Sequence, residues 1–157
     1  MGANTWLRAA AIAWRCWLGR AAGRDARPGD ASDAIGRWGE DCAADLLAGE
    51  GYRILGRRVR PNRHDEIDLV VRRDDVLVFV EVKTRKTEDF GRPLEAVDRD
   101  KRRALVRAAA RYLRRLGYPR VYCRFDTVEV IGAPGGKPVV RHIENAFLPA
   151  HPLMPGR

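Results

Sequence analysis

Cysteine is scarce in this chain of 157 residues: there are three, Cys16, Cys42 and Cys123, and no CxxC spacing. That argues against a disulfide framework or a structural zinc site and fits a reducing, cytoplasmic setting. Long apolar runs are missing too. The longest near the N-terminus, Ala9 to Trp14, is far too short to span a bilayer, and Arg15 interrupts the one candidate signal-peptide core. No glycine-rich nucleotide loop, internal repeat, Ser-His-Asp or Cys-His arrangement stands out, so no small-molecule cofactor is expected. Negative charge is in deficit: 30 Lys and Arg stand against 21 Asp and Glu, a formal net charge of +9. The excess favours a polyanionic partner, nucleic acid or, as the weaker expectation, an anionic membrane surface.

Residues 1–33 read as a basic extension and linker. "TWLRAAAIAWRCWLGRAAGR" has the pattern of a basic amphipathic helix and the composition of a transit peptide, since the first acidic residue is Asp25; a poorly ordered tail is the alternative. Trp6, Trp14 and Trp17, the residues that speak for a membrane surface, all lie there. Residues 34–149 form the compact domain and 150–157 a tail. In the domain, "AIGRWGEDCAADLLAGEGY" has a helical period stopped by "GEG". "RILGRRVR", "EIDLVV", "VLVFVEVK" and "RVYCRFDTVEVIG" read as strands, with "PVVRHIENAF" supplying a last one. "PLEAVDRDKRRALVRAAARYLRRLG" is a long helix ended by Gly117. The order is αβββαβ with a late extra strand: an α/β fold, a mixed sheet flanked by helices.

The stretch "DEIDLVVRRDDVLVFVEVKT" places charge inside apolar strands. Strand side chains alternate faces, so Glu66 and Asp68 share one face of their strand, and Phe79, Glu81 and Lys83 one face of the next. A hairpin turning at Asp74-Asp75 pairs residues whose numbers sum to 149, setting Asp68 opposite Glu81 and Glu66 opposite Lys83; a turn one position earlier keeps the faces but shifts the partners. Two carboxylates about 4 Å apart repel by roughly 4 kcal/mol at an effective dielectric near 20. A shared proton relieves this, and so does a divalent cation such as Mg²⁺. Lys83, on the same face, is placed to orient a water or to neutralise developing charge. The ordinary alternative is a solvated face of Glu66–Lys83 and Asp68–Arg pairs. Glu40 falls on the apolar stripe of the first helix, with Gly36 and Ala43 allowing close approach to the sheet; a helix-dipole charge is the plainer explanation.

The second helix has an apolar stripe of Leu105, Ala108, Ala109, Tyr112 and Leu116, and its other faces carry Lys101, Arg102, Arg103, Arg107 and Arg111. Phosphate-backbone binding without sequence preference is the expectation, against a merely solvated face. Asp126 shares a face with Arg124, which suggests a structural ion pair.

Taken together, "GRWGED", "EIDLV", "FVEVKTR", "RFDTV" and "IENAF" resemble the bacterial YraN family over roughly residues 35–147. That family is assigned to the restriction-endonuclease-like, PD-(D/E)xK fold and is related to archaeal Holliday-junction resolvases. The resemblance implies Asp68 as the motif aspartate, Glu81 and Lys83 as the E-x-K pair and Glu40 as the helix carboxylate, all catalytic, with Asp68 and Glu81 holding Mg²⁺ or Mn²⁺. The resemblance does not supply a substrate; joined to the charged cluster and the basic helix, it leads to the expectation of an endonuclease acting on DNA phosphodiester bonds, DNA more than RNA, with branched DNA among the candidates and, by analogy with the resolvases, a homodimer. The alternative is a nucleic-acid-binding module with a nuclease fold and no relevant turnover. Members usually have Gly where Asp65 stands, and Lys-Gln where Lys101-Arg102 stands. Asp65 thus changes the turn before the strand and adds a negative charge beside the cluster.

Overall fold

The computed structural model describes residues 31–87 and 99–153. Residues 1–30, residues 88–98, which include the expected start of the long helix at Pro93, and residues 154–157 lie outside the described residues. Helix α1 runs Ala31–Gly49, followed by β1 Arg53–Val59, β2 Ile67–Arg73 and β3 Val76–Arg85. Helix α2, Arg99–Arg115, precedes β4 Tyr122–Ile131 and β5 Val139–Ile143. This is the expected αβββαβ order with one added strand, an α/β fold consistent with a restriction-endonuclease-like core.

Both helices stop the same way. Gly51 and Gly117 take φ of +86° and +71°. Behind them Tyr52 N–H donates to Leu47 O and Tyr118 N–H to Leu113 O, each at 2.9 Å, closing the last turns. A left-handed residue at this position is what glycine supplies without a Cβ clash.

The five strands lie side by side in chain order, β1 to β5. All neighbours are antiparallel except β3 and β4, which are parallel and joined through α2. The β2–β3 hairpin pairs Leu69 with Val80 and Arg73 with Val76, the register that turns at Asp74-Asp75. Asp74 takes φ +53°, so the turn forms without the Asn-Gly or Asp-Gly dipeptide that usually signals it.

Helices cover both faces of the sheet, which is why β3 is apolar on both sides. Against α1, Ala43, Ala44 and Leu47 pack on Leu69, Val71, Val78, Val80, Val128 and Val130. Against α2, Leu105, Ala108, Ala109, Tyr112 and Leu113 pack on Val70, Leu77, Phe79 and Phe125. The α2-side apolar layer ends at Phe79 on β3 and Phe125 on β4. Beyond it, on the same face, the next residues are Glu81, Lys83, Thr127 and Glu129.

Close approach of α1 to the end of β3 depends on Gly39, not on Gly36. A Cβ at Gly39 would lie 1.9 Å from Thr84 Oγ1 and 3.1 Å from Thr84 Cβ, whereas one at Gly36 meets only an Arg58 amino group at 3.8 Å. Rotating Thr84 moves its hydroxyl but not its Cβ. Gly39→Ala is therefore expected to destabilise the fold by roughly 1–3 kcal/mol through overpacking. Urea denaturation checks it: an unchanged midpoint would show that α1 can shift without loss.

Candidate functional site

The site begins where the β2–β3 ladder stops. Recorded pairing ends at Leu69–Val80. One step further, the Asp68 carboxylate takes over from the backbone: its Oδ2 accepts the Val82 N–H at 2.7 Å. Continuing the register sets Asp68 opposite Glu81 on the α2 face. Burial pushes the Asp68 carboxyl from its ordinary 3.8 up to about 6; the Val82 hydrogen bond opposes the rise, while the charges of Glu40, Glu81 and Glu66 add to it. Asp68 thus feels all the carboxylates that the sequence grouped with it.

Glu81 is 8% exposed, and neither of its carboxylate oxygens has a hydrogen-bond partner. Two ammonium groups stand near it, Lys83 Nζ at 3.8 Å and Lys101 Nζ at 3.4 Å from Oε1. Both distances exceed the usual range for an N–H···O bond. Burial lowers the Lys83 pKa; Glu81 opposes this, and the positive charges of Lys101 and Arg85 add to the fall.

Glu40 faces inward, and the partner it finds is Arg58 of β1, whose Nε donates to both carboxylate oxygens at 3.0 and 2.9 Å. Arg58 also reaches Asp33 at 3.0 Å. Nothing in the spacing of the sequence signals this arginine. It sits at φ +46°, backbone that L-residues rarely adopt. The ion pairs hold its guanidinium firmly protonated, with the Glu40 hydrogen bonds the largest influence.

Two sequence-based expectations change. Glu66 pairs with Arg60, not with Lys83, so the plain Glu66–Lys83 bridge does not form. Asp65 does not add a free charge to the cluster. It is buried, accepts from Asn62 at 2.9 Å, and lies 3.1 and 3.4 Å from Arg107 and Arg111. Burial pushes its carboxyl up, but the bonds from Asn62 and Arg107 outweigh it and the net pKa is lowered.

Of the five basic residues expected to meet phosphate, Lys101 leans toward Glu81, Arg102 lies over the Phe147 ring at 5.4 Å, and Arg107 and Arg111 hold Asp65. Arg103, beside Asp100, is 72% exposed. Lys101, Arg107 and Arg111 also remain more than half exposed, so the helix keeps a cationic outer surface. Sequence reasoning missed Thr127 and Glu129, which lie beside Glu81 and Lys83 on β4. The signal was present: "VEV" puts a carboxylate in an apolar strand, as "VEVK" does on β3.

On the α1 face, Asp126 takes the structural role expected of it. Fully buried, it accepts from Arg124, from the Asn145 N–H and from His142, whose other ring nitrogen meets Glu50 at 2.6 Å. Among the described residues no three His, Cys, Asp or Glu side chains close into a ready-made cation cage. Two carboxylates completed by waters and substrate oxygens are still a usual arrangement for Mg²⁺. The bare, buried oxygens of Glu81 beside Asp68 fit such an ion. No described helix is long and apolar enough to cross a membrane.

Residues 39–130 match the model of the uncharacterised protein family UPF0102. A UPF0102 protein of Symbiobacterium thermophilum is 50% identical over 116 residues, covering 74% of this chain and 98% of that protein. One from Prosthecochloris aestuarii is 44% identical over 118 residues, covering 72% and 92%. One from Nocardia farcinica is 41% identical over 122 residues, covering 78% and 94%.

Because the folded protein holds the Asp68 proton more tightly than the unfolded chain, protonation favours folding. That stabilisation is complete below pH 3.8 and is lost as pH rises through about 6. The difference amounts to about 3 kcal/mol. In chelator, Asp68→Asn is expected to stabilise the protein near pH 8 by up to that amount, and the gain should vanish near pH 4. Thermal melts across this range check it; an Asn variant less stable than wild type at every pH would contradict it.

Proposed function

The chain belongs to the UPF0102 family, the YraN family of the resemblance, and from the geometry of its charged face we propose that it is a divalent-metal-dependent endonuclease acting on DNA phosphodiester bonds. The observation that carries this reading is Glu81: a buried carboxylate that accepts no hydrogen bond at either oxygen, near an aspartate of raised pKa and within 4 Å of two lysines. Ordinary folding gains nothing from that combination, since an unsatisfied buried polar group costs about 1–3 kcal/mol. A hydrolytic site uses all of it.

In this reading Asp68 and Glu81 hold Mg²⁺ or Mn²⁺. When bound, the cation supplies charge to the phosphate oxygens and makes a water easier to deprotonate. The Val82 N–H fixes the Asp68 carboxylate, leaving its other oxygen for the ion. Lys83, anchored on the rigid β3 strand, orients the attacking water or neutralises charge as it develops on the phosphate. Glu40, fixed by Arg58, acts directly or through a water. Lys101, Arg102, Arg103, Arg107 and Arg111 meet the phosphate backbone, which positions a duplex without reading its sequence.

One observation favours a second reading, a nucleic-acid-binding module without turnover. Lys83 and Lys101 already lie 3.8 and 3.4 Å from Glu81, which partly neutralises the carboxylate without any cation. Cleavage assays on linear, nicked, single-stranded and four-way-junction DNA, with and without Mn²⁺, separate the two. Mn²⁺-dependent cleavage is expected, falling by about 10²-fold or more in Asp68→Ala and in Lys83→Ala with DNA retention largely intact. Undiminished cleavage in the purified double variant would dispose of the mechanism, and salt-dependent binding indifferent to metal would favour the module. Separately, Arg103→Ala should weaken binding alike on all sequences and reduce the salt slope by about one. An unchanged slope would remove Arg103 from the interface.

A further inference from the structure

The α2 face of β3 and β4 carries more unpartnered oxygen than Asp68 and Glu81 account for. Glu81 and Thr127 are register partners on the parallel pair, and Lys83 and Glu129 are the next pair on the same face. Thr127 and Glu129 are each 3% exposed. The Thr127 hydroxyl and both Glu129 carboxylate oxygens have no hydrogen-bond partner, and neither have both oxygens of Glu81. Five buried acceptor oxygens without hydrogen bonds thus belong to neighbouring positions on one face of two adjacent strands.

The same strand shows how this fold treats a buried carboxylate whose role is structural. Asp126, on the opposite face of β4, is enclosed by Arg124, His142 and the Asn145 N–H. Glu129, three residues on, is also buried, lies between Lys83 and Arg141 in the strand register, and accepts no hydrogen bond at either oxygen. Lys83 and Lys101 stand beside Glu81, and Arg141 is the register partner of Glu129 on β5, yet none of the five oxygens accepts a hydrogen bond. Water would hydrate the patch but leave its negative charge in place. An all-oxygen set of two carboxylates and a hydroxyl suits a hard divalent ion better than a soft one. Thr127 matters here because it is not acidic: its hydroxyl is buried without a hydrogen-bond partner beside Glu81, a feature independent of any clustering of charge.

We propose that β4 supplies a second cation position, in which Glu129 and Thr127, with Glu81 shared between the two positions, hold an ion of the Mg²⁺ or Mn²⁺ class beside the one assigned to Asp68 and Glu81. This rests on the reading of Asp68 and Glu81 as a cation site. It deepens that reading to a paired site of the kind that clamps both the attacking and the leaving oxygen in phosphoryl chemistry.

Equilibrium dialysis of the full chain against Mn²⁺, without DNA, tests it. Two ions per wild-type chain are expected, one per chain in Glu129→Gln and one in Asp68→Asn. Thr127→Ser should keep two, and Thr127→Val should weaken the second by about tenfold or more. The Thr127 pair, with melting curves as a check on folding, covers the case in which Glu129→Gln does not fold. Equal Mn²⁺ stoichiometry in wild type, Glu129→Gln and Thr127→Val overturns the proposal, as does a single wild-type ion that only Asp68→Asn removes. Two bound ions without any DNA cleavage would instead overturn the enzymatic reading and leave the paired site standing.

Discussion

Asp68 and Glu81 lie on neighbouring strands just past the last paired residues, Leu69 and Val80, close enough for the Glu81 charge to raise the affinity of Asp68 for protons. Like charges about 4 Å apart repel by roughly 4 kcal/mol at an effective dielectric near 20, and more where the surroundings are drier. The surrounding structure is arranged around that repulsion. Asp68 relieves part of it by accepting a backbone N–H and by a raised affinity for protons. Glu81 relieves part through two ammonium groups standing just beyond hydrogen-bond distance. The apolar layers beneath, Phe79 and Phe125 on one face and the valines of β3 on the other, keep the charged ends from spreading into solvent.

The first helix is held at that end by two features. Gly39 lets its backbone lie against Thr84, at the end of β3. Arg58 then grips Glu40, accepting a left-handed backbone conformation that costs on the order of 1–3 kcal/mol for a residue with a side chain. A left-handed arginine persists only where its ion pairs outweigh that strain. The helix carboxylate is therefore fixed in place before any ligand arrives, and it contributes to the negative field at Asp68.

Much of this was legible in the sequence. The αβββαβ order followed from apolar periodicity and from the glycines that stop each helix. Strand alternation alone grouped Asp68, Glu81 and Lys83, and the 149 register expected from a turn at Asp74-Asp75 is the one the hairpin adopts. What was not legible depends on contacts between distant segments. No local pattern announces that Arg58 grips Glu40, because the pairing arises from how β1 passes the helix. Asp65 read as an extra charge beside the cluster, since its partners Arg107 and Arg111 lie more than forty residues away on α2. Glu129 was visible as a carboxylate in an apolar strand, but only the parallel pairing of β3 and β4 sets it beside Lys83.

The Asp65 clamp has a consequence for how the basic helix meets a ligand. Arg107 and Arg111 are each steered inward at one edge while about half of each side chain remains in water. Long cationic side chains normally surrender about 0.5–1.5 kcal/mol of rotamer freedom apiece when an encounter immobilises them. These two have already given much of it up, to a carboxylate three residues before Asp68. Their outward edges therefore form a pre-aimed fork, in fixed relation to the strand that carries Asp68, and a polyanion gripping it would be registered against that strand on arrival.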